Sequence, residues 1–281
     1  MAHIGNDLSL GFSPCPNDTF IFHALVHGLV DCGGFRFRER LEDVETLNRL
    51  ALEGALDISK VSYHALGFLR DDYCLLRSGG ALGRGCGPLV VSRDLVEMGE
   101  LRGKRIAVPG RYTTAALLLR LRDPALDRIV HLPFHEIMPA VADGSVDAGV
   151  IIHESRFTFP EYGLRKLLDL GEWWEGETGH PIPLGGIVAR RSLGAERIST
   201  IDRALRASIE HAFAHPGSAN SYIRAHSQEM SDEVCAAHIA LYVNDFSRDL
   251  AADGEAAVNC LLGRAEDAGI IPHSTSPLFL S

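Results

Sequence analysis

The sequence lacks an excess of positive charge, and this excludes two classes of partner. Its 281 residues include 27 Lys and Arg against 37 Asp and Glu, which gives a formal net charge of −10. Nucleic acids and anionic membrane surfaces attract basic proteins, so we expect neither as a partner. A small anionic ligand stays open, because a few local hydrogen-bond donors can bind it whatever the overall charge.

Long apolar runs and closely paired cysteines are also missing. No apolar stretch approaches the roughly 20 residues of a membrane-spanning helix. No basic segment followed by an apolar one opens the chain, so we expect no signal peptide. The six cysteines form no Cys-x-x-Cys pair, which is typical of reduced and mostly buried thiols. These features together predict a soluble cytoplasmic protein.

Several familiar catalytic motifs are absent. Neither His135 nor His153 is followed by a second histidine four residues later, so no His-Glu-x-x-His zinc site is predicted. The glycines of "GRGCG" (83–87) do not fit G-x-G-x-x-G, and no P-loop motif occurs. Cys15 stands between two prolines with no base assigned beside it, so we expect a packing role there rather than a nucleophile.

The sequence does contain an alternation of strand and helix patterns. Short apolar runs such as Leu8–Ser13 alternate with amphipathic stretches such as Val44–Glu53, and the alternation restarts near residue 93. Such alternation predicts an α/β protein with mostly parallel sheets covered on both faces. We interpret the glycine-rich segment 78–88 and the segment around Trp173 and Trp174 as loops. After Arg191 the pattern is helical, with turns predicted near 215–216 and 253–254.

Two segments share one design. "ALEGALDISKVSYH" (51–64) and "VADGSVDAGVIIHES" (141–155) each run from a helix end with an acid and Gly, through an Asp, into an apolar strand. Ligands of open α/β sheets bind at the carboxyl ends of strands, so two such strands predict two lobes facing one cleft. We place the large lobe at 1–92 plus 191–281 and the small lobe at 93–190. The polar side chains at these strand ends are Ser59, Lys60, Ser62, His153 and Glu154.

Two positions favour ligand chemistry over an ordinary structural role. In "VPGRYTTAALLL" (108–119), Thr113 or Thr114 can cap a helix, whose free N–H groups bind carboxylates or phosphates. The alternative is that the threonine only caps the helix and that no ligand binds there. His153 follows the strand "AGVII" and can act as a general base near neutral pH. A structural histidine at a strand end is the alternative there.

Long stretches of the chain resemble a known family. "GFSPCPNDTFIFHALVHG", "LEDVETLN", "LRSGGALGRGCGPLVVS", "VPGRYTTAALLL", "GVIIHESRFTF" and "PIPLGGIVARR" look like the 1,4-dihydroxy-6-naphthoate synthase family of menaquinone biosynthesis, over residues 8 to about 247. The resemblance implies a periplasmic-binding-protein type II-like fold with two α/β lobes and a cleft between them. It also implies a lyase that converts cyclic dehypoxanthinyl futalosine to 1,4-dihydroxy-6-naphthoate without an organic cofactor or metal.

The resemblance also implies which residues form the site. The family's catalytic base falls on His153, and its substrate-binding residues fall on Ser59, Lys60 and Val61 with nearby Ser62, and on Thr113 and Thr114. We expect the small-molecule carboxylate to bind at the helix start, with Lys60 either helping or paired with an acid. The alternatives are a chorismate dehydratase-like enzyme of the same superfamily and a non-enzymatic solute-binding protein.

Two further segments have open roles. "SPCPNDTF" (13–20) should stiffen one cleft wall, with Asn17 or Asp18 capping a helix that begins at Thr19. The C-terminal helices, from Ile198 to Gly269, either pack back on the first lobe or help to form a homodimer.

Overall fold

Strands and helices alternate through the first two thirds of the chain, and helices dominate the last third. The structure, a computed structural model, describes residues 5–227 and 231–280. The strands are β1 (Asp7–Phe12), β2 (Arg36–Leu41), β3 (Ile58–Ser62), β4 (Tyr73–Leu75), β5 (Ala81–Gly83), β6 (Leu89–Ser92), β7 (Ile106–Val108), β8 (Ile129–His131), β9 (Ala148–Ile151), β10 (Arg165–Asp169) and β11 (Ile182–Arg190). The helices are α1 (Pro16–Val26), α2 (Val44–Leu52), α3 (Tyr63–Leu69), α4 (Thr114–Arg122), α5 (Phe134–Ala142), α6 (Ser155–Thr158), α7 (Leu170–Thr178), α8 (Ala195–Ala214), α9 (Asn220–His226), α10 (Asp232–Tyr242), α11 (Asp245–Arg248) and α12 (Ala251–Asp267).

The strands form two sheets with the same internal plan. The first has the order β2-β1-β3-β11-β4, with β5 also paired to β11, and the second has the order β10-β6-β9-β7-β8. In the first sheet β2, β1 and β3 are parallel and β11 is antiparallel to β3. In the second sheet β8, β7 and β9 are parallel and β6 is antiparallel to β9. The predicted α/β class with two lobes is confirmed.

The chain crosses between the sheets twice, and both crossings precede the predicted lobe boundaries. β6 pairs with β9 and β10, although the predicted large lobe, 1–92, included it. β11 pairs with β3, β4 and β5, although the predicted small lobe, 93–190, included it. The crossings therefore lie in 84–88 and 170–181. Each predicted boundary was one strand too late, because an antiparallel strand gives no sequence sign of the sheet that it joins.

The shared design of the two segments is confirmed. α2 and α5 each end before a glycine with positive φ, Gly54 (65°) and Gly144 (83°). The aspartates that follow have equivalent bonds. Asp57 Oδ2 accepts from the Ser9 N–H at 2.8 Å, and Asp147 Oδ2 accepts from the Arg105 N–H at 2.7 Å. Each carboxylate thereby ties the start of its own strand to the neighbouring parallel strand.

The turn after β1 differs from its prediction. α1 begins at Pro16, so the predicted start at Thr19 was three residues late. Proline is well suited to the first helical position, since it lacks the N–H that would have no partner there. The Asp18 side chain does not cap the helix but turns back to Ser13, whose N–H and Oγ donate to it at 3.1 and 2.7 Å.

Two segments that were interpreted as loops contain regular structure. The glycine-rich stretch includes β5, and Trp173 and Trp174 lie on α7, with Trp174 fully buried. The turn predicted at 253–254 was also wrong, because both residues lie inside α12. The C-terminal helices pack on the first sheet's side of the molecule, α8 and α10 against α1 and α12 against α3. No helix of the described ranges is long and apolar enough to cross a membrane.

The two crossing segments touch each other at a pair of glycines. A side chain at Gly87 would bring its Cβ within 2.3 Å of the Gly171 nitrogen. Arg156 reinforces this contact, since it donates to the Gly87 carbonyl at 2.5 Å and to Asp169 Oδ2 at 2.6 Å. Asp169 in turn caps α7 by accepting from the Gly171 N–H at 2.8 Å. The two crossing segments are therefore joined to each other by the glycine contact and by the bonds of Arg156 and Asp169.

We expect Gly87→Ala to lower the free energy of unfolding by about 2 kcal/mol, because backbone atoms cannot move aside as a flexible side chain would. Gly176→Ala is the matched control: Gly176 is an exposed position of α7 with no atom near its Cβ position. Alanine is the better helix former by about 1 kcal/mol, so this variant should be as stable as the parent or more stable. Urea denaturation of both variants measures the difference, and equal behaviour would contradict the packing explanation.

Candidate active site

A cavity lies at the carboxyl ends of β3 and β9 and is lined by residues from both sheets. Most of its lining side chains are buried, and we call it the inner cavity. It brings together most of the residues that the sequence singled out, although they are up to 93 positions apart (60 to 153). The predicted residues that line it are Lys60, Val61, Ser62, Thr113, Thr114 and His153.

Ser59 is the predicted site residue that does not line this cavity. It is fully buried within β3, and its Oγ donates to the Lys60 carbonyl at 3.0 Å. Residues nearer the end of the strand reach the cavity instead. The expectation that the Ser59 hydroxyl contacts the substrate is therefore not supported by its position.

Lys60 is paired with an acid, which is the second of the two roles that the sequence left open. Its Nζ lies 3.2 Å from Asp18 Oδ1 and donates to the Gly79 carbonyl at 3.3 Å. Asp18 is almost fully buried and also accepts from Ser13 and from Asn17 Nδ2 at 2.9 Å. The carboxylate therefore neutralises the lysine, so the cavity wall here offers no uncompensated positive charge to an anion.

Ser62 is the hydroxyl of β3 that remains available to a ligand. Asn48 of α2 holds it from behind: Asn48 Oδ1 accepts from the Ser62 N–H at 2.9 Å, and Asn48 Nδ2 donates to Ser62 Oγ at 3.2 Å. Because Ser62 Oγ accepts this bond, its proton is free to be donated towards the cavity.

The start of α4 supplies the donors that an anionic ligand needs. Thr113 caps the helix, accepting from the Ala116 N–H at 3.3 Å and donating to the Gly110 carbonyl at 3.1 Å. Thr114 Oγ1 donates to the Leu184 carbonyl at 2.6 Å. Both hydroxyls are thus engaged with the protein. The main-chain N–H groups of Thr114 and Ala115 have no acceptor among the described residues, and these groups are the free donors.

Residues of the first sheet's side hold this helix start in place. Glu45 of α2 accepts from the N–H groups of Arg111 and Tyr112 at 2.9 and 3.0 Å. His64 Nδ1 lies 3.2 Å from the Thr113 carbonyl and donates to it. The start of α4 is therefore positioned by both lobes, since α4 itself follows β7 of the second sheet.

His153 lies two residues after the end of β9, in a strained backbone conformation. Its φ of 56° lies in the left-handed region that residues other than glycine rarely adopt. Its ring packs edge-on against Phe134 and stacks on His238, with centroids 5.3 and 5.9 Å apart. Neither ring nitrogen bonds to a described residue. The backbone strain thus presents an unpartnered imidazole to the cleft.

The electrostatic surroundings keep His153 neutral. Burial lowers the pKa of its imidazole, and the carboxylates of Glu154 and Asp18 oppose this shift without overcoming it. His238 behind it is fully buried, and desolvation lowers its pKa to about 3. His238 Nε2 lies 3.1 Å from Asn17 Oδ1 and donates to it. Both histidines are therefore uncharged at neutral pH, as a general base must be before it takes a proton.

Cys15 lies beside these groups but remains a thiol. Burial raises its pKa well above the usual range, and the negative charge of Glu154 adds to the shift. The expectation that Cys15 is not an activated nucleophile agrees with this environment. Within the described ranges, no three His, Cys, Asp or Glu side chains are arranged to hold a metal ion.

A second cavity opens on the other side of His153, which lines both. We call it the outer cavity, because several of its lining residues are exposed, among them His131 and His135. Its acidic residues already serve the fold: Asp43 caps α2 by accepting from the Glu45 N–H at 2.9 Å. His153 is therefore reached from two sides, a largely apolar inner side and a more polar outer side.

Sequence reasoning missed Tyr242, which lines the inner cavity, and several residues that support the cavity wall from behind. None of them belongs to a motif whose chemistry can be inferred from spacing. The sequence held a weak sign for His238 and Tyr242, since they are four residues apart and hence share one face of a helix. The missed residues are Glu45, Asn48, His64, His238 and Tyr242.

The fold by itself defines the class of protein. The alkanesulfonate-binding protein from Xanthomonas axonopodis pv. citri matches with a TM-score of 0.72 at 16% identity, over 97% of this chain and 96% of that one. The periplasmic aliphatic sulphonate binding protein from Escherichia coli matches with a TM-score of 0.66 at 13% identity, over 99% and 94%. The chain has the predicted periplasmic-binding-protein fold, and at these identities the likeness shows the fold alone.

Sequence similarity places the chain more narrowly. A family described as menaquinone biosynthesis matches residues 8–267. Proteins named 1,4-dihydroxy-6-naphthoate synthase from Thermus thermophilus and Streptomyces coelicolor are 55% and 50% identical, over 97% and 94% of this chain and 99% and 95% of theirs. A solved structure from Archaeoglobus fulgidus matches with a TM-score of 0.89 at 39% identity, over 96% of this chain and all of that one. The chain belongs to this family of menaquinone-biosynthesis enzymes.

We expect Lys60→Met to lower the free energy of unfolding by about 3 kcal/mol, because it leaves the Asp18 carboxylate buried without its cation. Adding Asp18→Asn should restore part of the loss, since the double variant buries no charge. Arg224→Met is the control, because the Arg224–Asp232 pair is largely exposed (63% and 67%), and solvent screens such a pair so that its loss should change stability little. The free energies of unfolding are measured by urea denaturation. If the losses caused by Lys60→Met and Asp18→Asn simply add in the double variant, the two side chains are not coupled and the explanation is wrong.

Stability should fall in mild acid because His64 is buried in its neutral form. Burial lowers its folded-state pKa to about 4, whereas the unfolded chain takes up the proton near the ordinary value of 6.5. The stabilisation is therefore complete above pH 6.5 and is lost as the pH falls towards 4. At pH 4.5 the loss from this group is about 2 to 3 kcal/mol.

His64→Gln should show a correspondingly smaller drop in unfolding free energy between pH 7.5 and 4.5 than the parent. His131→Gln, at an exposed position, should keep the parent's pH dependence. The same pH dependence in His64→Gln as in the parent would show that other groups drive the acid sensitivity.

Proposed function

We propose that this chain is a carbon–carbon lyase that converts cyclic dehypoxanthinyl futalosine to 1,4-dihydroxy-6-naphthoate, with His153 as the general base. The observation that carries the proposal is the position of His153, a neutral imidazole without a partner among the described residues, which lines the same cavity as the free helix N–H groups of α4. The near full-length identity to two proteins named as this synthase supports the reaction.

The inner cavity suits the aromatic carboxylate part of this substrate. The carboxylate binds the N–H groups of Thr114 and Ala115 at the start of α4, with Ser62 Oγ as a further donor. Apolar side chains such as Val61 and Leu184 surround the ring system. The sugar-derived part then extends past His153 into the outer, more polar cavity. This orientation places the carbon that loses its proton beside the imidazole.

The reaction begins with proton transfer. His153 takes a proton from the cyclised carbon skeleton, and the electron pair moves towards an adjacent carbonyl to give an enolate. Cleavage of a carbon–carbon bond and elimination then release the sugar-derived part, and the aromatic ring forms. Aromatisation supplies much of the driving force, so the protein contributes positioning and proton transfer. No step in this scheme needs a cofactor.

Turnover should depend on the imidazole of His153. In chelator-treated protein, His153→Asn should lower kcat by about 100-fold or more while KM changes little, since a general base acts in the transition state. Asparagine tolerates the left-handed φ better than alanine, so it preserves the local backbone. Product formation is followed chromatographically, and His180→Ala, away from both cavities, is the control.

A second variant separates the role of the imidazole from that of the strained backbone at position 153. His153→Gly suits φ 56° and leaves a space of one ring, so added imidazole should restore part of the activity.

Activity of the parent should decline in acid only below the ordinary histidine range, because the pKa of His153 is lowered. Near-normal turnover by His153→Asn would overturn the assignment. Absence of product with the parent, together with chorismate dehydration or with binding alone, would favour one of the two alternatives.

A further inference from the structure

Tyr242, the last residue of α10, lines the inner cavity together with His153 and the start of α4. It belongs to the C-terminal helices, for which the sequence suggested only packing or dimer contacts. Its side chain is 7% exposed, and its position in the cavity wall shows that it faces the ligand space. A C-terminal helix therefore supplies part of the site itself.

The hydroxyl of Tyr242 has no hydrogen-bond partner among the described residues, unlike the hydroxyls of the buried Tyr73 and Tyr222. Tyr73 donates to the Leu56 carbonyl and Tyr222 to Glu39 Oε2, both at 2.6 Å. The Tyr63 hydroxyl also lacks a partner, but it is completely enclosed by protein. The Tyr242 hydroxyl is not enclosed in this way, and its residue lines the cavity, so its proton is available to a ligand bound there.

The ring of Tyr242 is fixed relative to the base. Its centroid lies 4.8 Å from that of His238, whose ring stacks in turn on His153. His238 is itself anchored by its bond to Asn17. Burial also raises the pKa of the Tyr242 phenol, so the hydroxyl stays protonated and acts as a donor. Base and donor are thus held on one row of packed rings.

We propose that Tyr242 is a catalytic residue that donates a hydrogen bond to the substrate ring oxygen that becomes negatively charged when His153 removes the proton. This inference rests on the function proposed above. The C–H electron pair forms a new carbon–carbon double bond, the carbonyl π electrons move to oxygen, and the proton passes to the imidazole. Tyr242 keeps its own proton and stabilises the enolate oxygen, as donors of an oxyanion hole do.

The product named for the relatives is consistent with this geometry. 1,4-Dihydroxy-6-naphthoate has its carboxylate on one ring and its two oxygens on the other. A ligand whose carboxylate binds at the start of α4 therefore presents a ring oxygen at some distance from that helix. Tyr242 enters the cavity from α10, a separate wall, and can meet that oxygen.

Kinetics of Tyr242→Phe test the proposal. The variant keeps the ring and its packing and loses only the hydroxyl, so we expect kcat to fall about 10- to 100-fold with KM nearly unchanged. Tyr63→Phe is the matched control, since it also removes a buried, unpartnered hydroxyl, but one that does not line the cavity. It should keep the parent's kcat. An unchanged kcat in Tyr242→Phe, with an active parent, would overturn the proposal and leave the proposed function intact.

Ligand binding gives a second readout that does not depend on turnover. We expect the parent to bind 5-hydroxy- or 8-hydroxy-2-naphthoate about 3- to 10-fold more tightly than 2-naphthoate, as one added hydrogen bond predicts. Tyr242→Phe should bind 2-naphthoate like the parent, which shows that its site is folded, and should lose the preference for the hydroxylated ligand. A preference that survives in Tyr242→Phe would overturn the proposal. A parent that forms no product would instead overturn the function on which it rests.

Discussion

The buried carboxylate of Asp18 is the interaction on which the site depends. It receives the Lys60 ammonium from β3, the Ser13 N–H and hydroxyl from the end of β1, and the amide of Asn17. Asn17 continues the chain of bonds to His238, whose ring supports His153. The Asp18 carboxylate thus links β1, β3 and, through Asn17, α10. A neutral side chain at position 18 could not attract all these donors.

The use of a binding-protein fold for catalysis follows from how the two sheets meet. In each sheet the parallel strands end at the same edge, and the two edges together enclose the inner cavity. Here His153, two residues after β9, has a strained backbone and lines the same cavity, so the second sheet adds an imidazole to the site.

Local sequence patterns predicted the parts of the site that are local. The helix start at Thr113 and Thr114 and the strand end at His153 depend on short-range rules of capping and alternation, and both lie in the cavity wall. His238 and Asn17 could not be paired in the same way, because 221 positions separate them and only the fold brings them together. Lys60 was ambiguous for the same reason, since its acid comes from another element.

The errors in the fold prediction also have physical causes. The segment around Trp173 and Trp174 is rich in glycine and acid, which favours a loop, but burial of Trp174 and the cap by Asp169 make it a helix. Gly254 was taken for a turn, although it lies within α12 where a larger residue would press on Leu250 and Phe246. In each case tertiary contacts outweighed intrinsic propensity.

The central position of β11 in the first sheet has a consequence for synthesis on the ribosome. β3 and β4 are made early, but the strand that joins them arrives only after all of the second sheet has been translated. Until then the edges of β3 and β4 have no partner, and unpaired edges favour association between chains. The pairing also links residues far apart in sequence, which slows folding. The order of strands thus leaves the half-synthesised chain with open strand edges that the finished protein covers with β11.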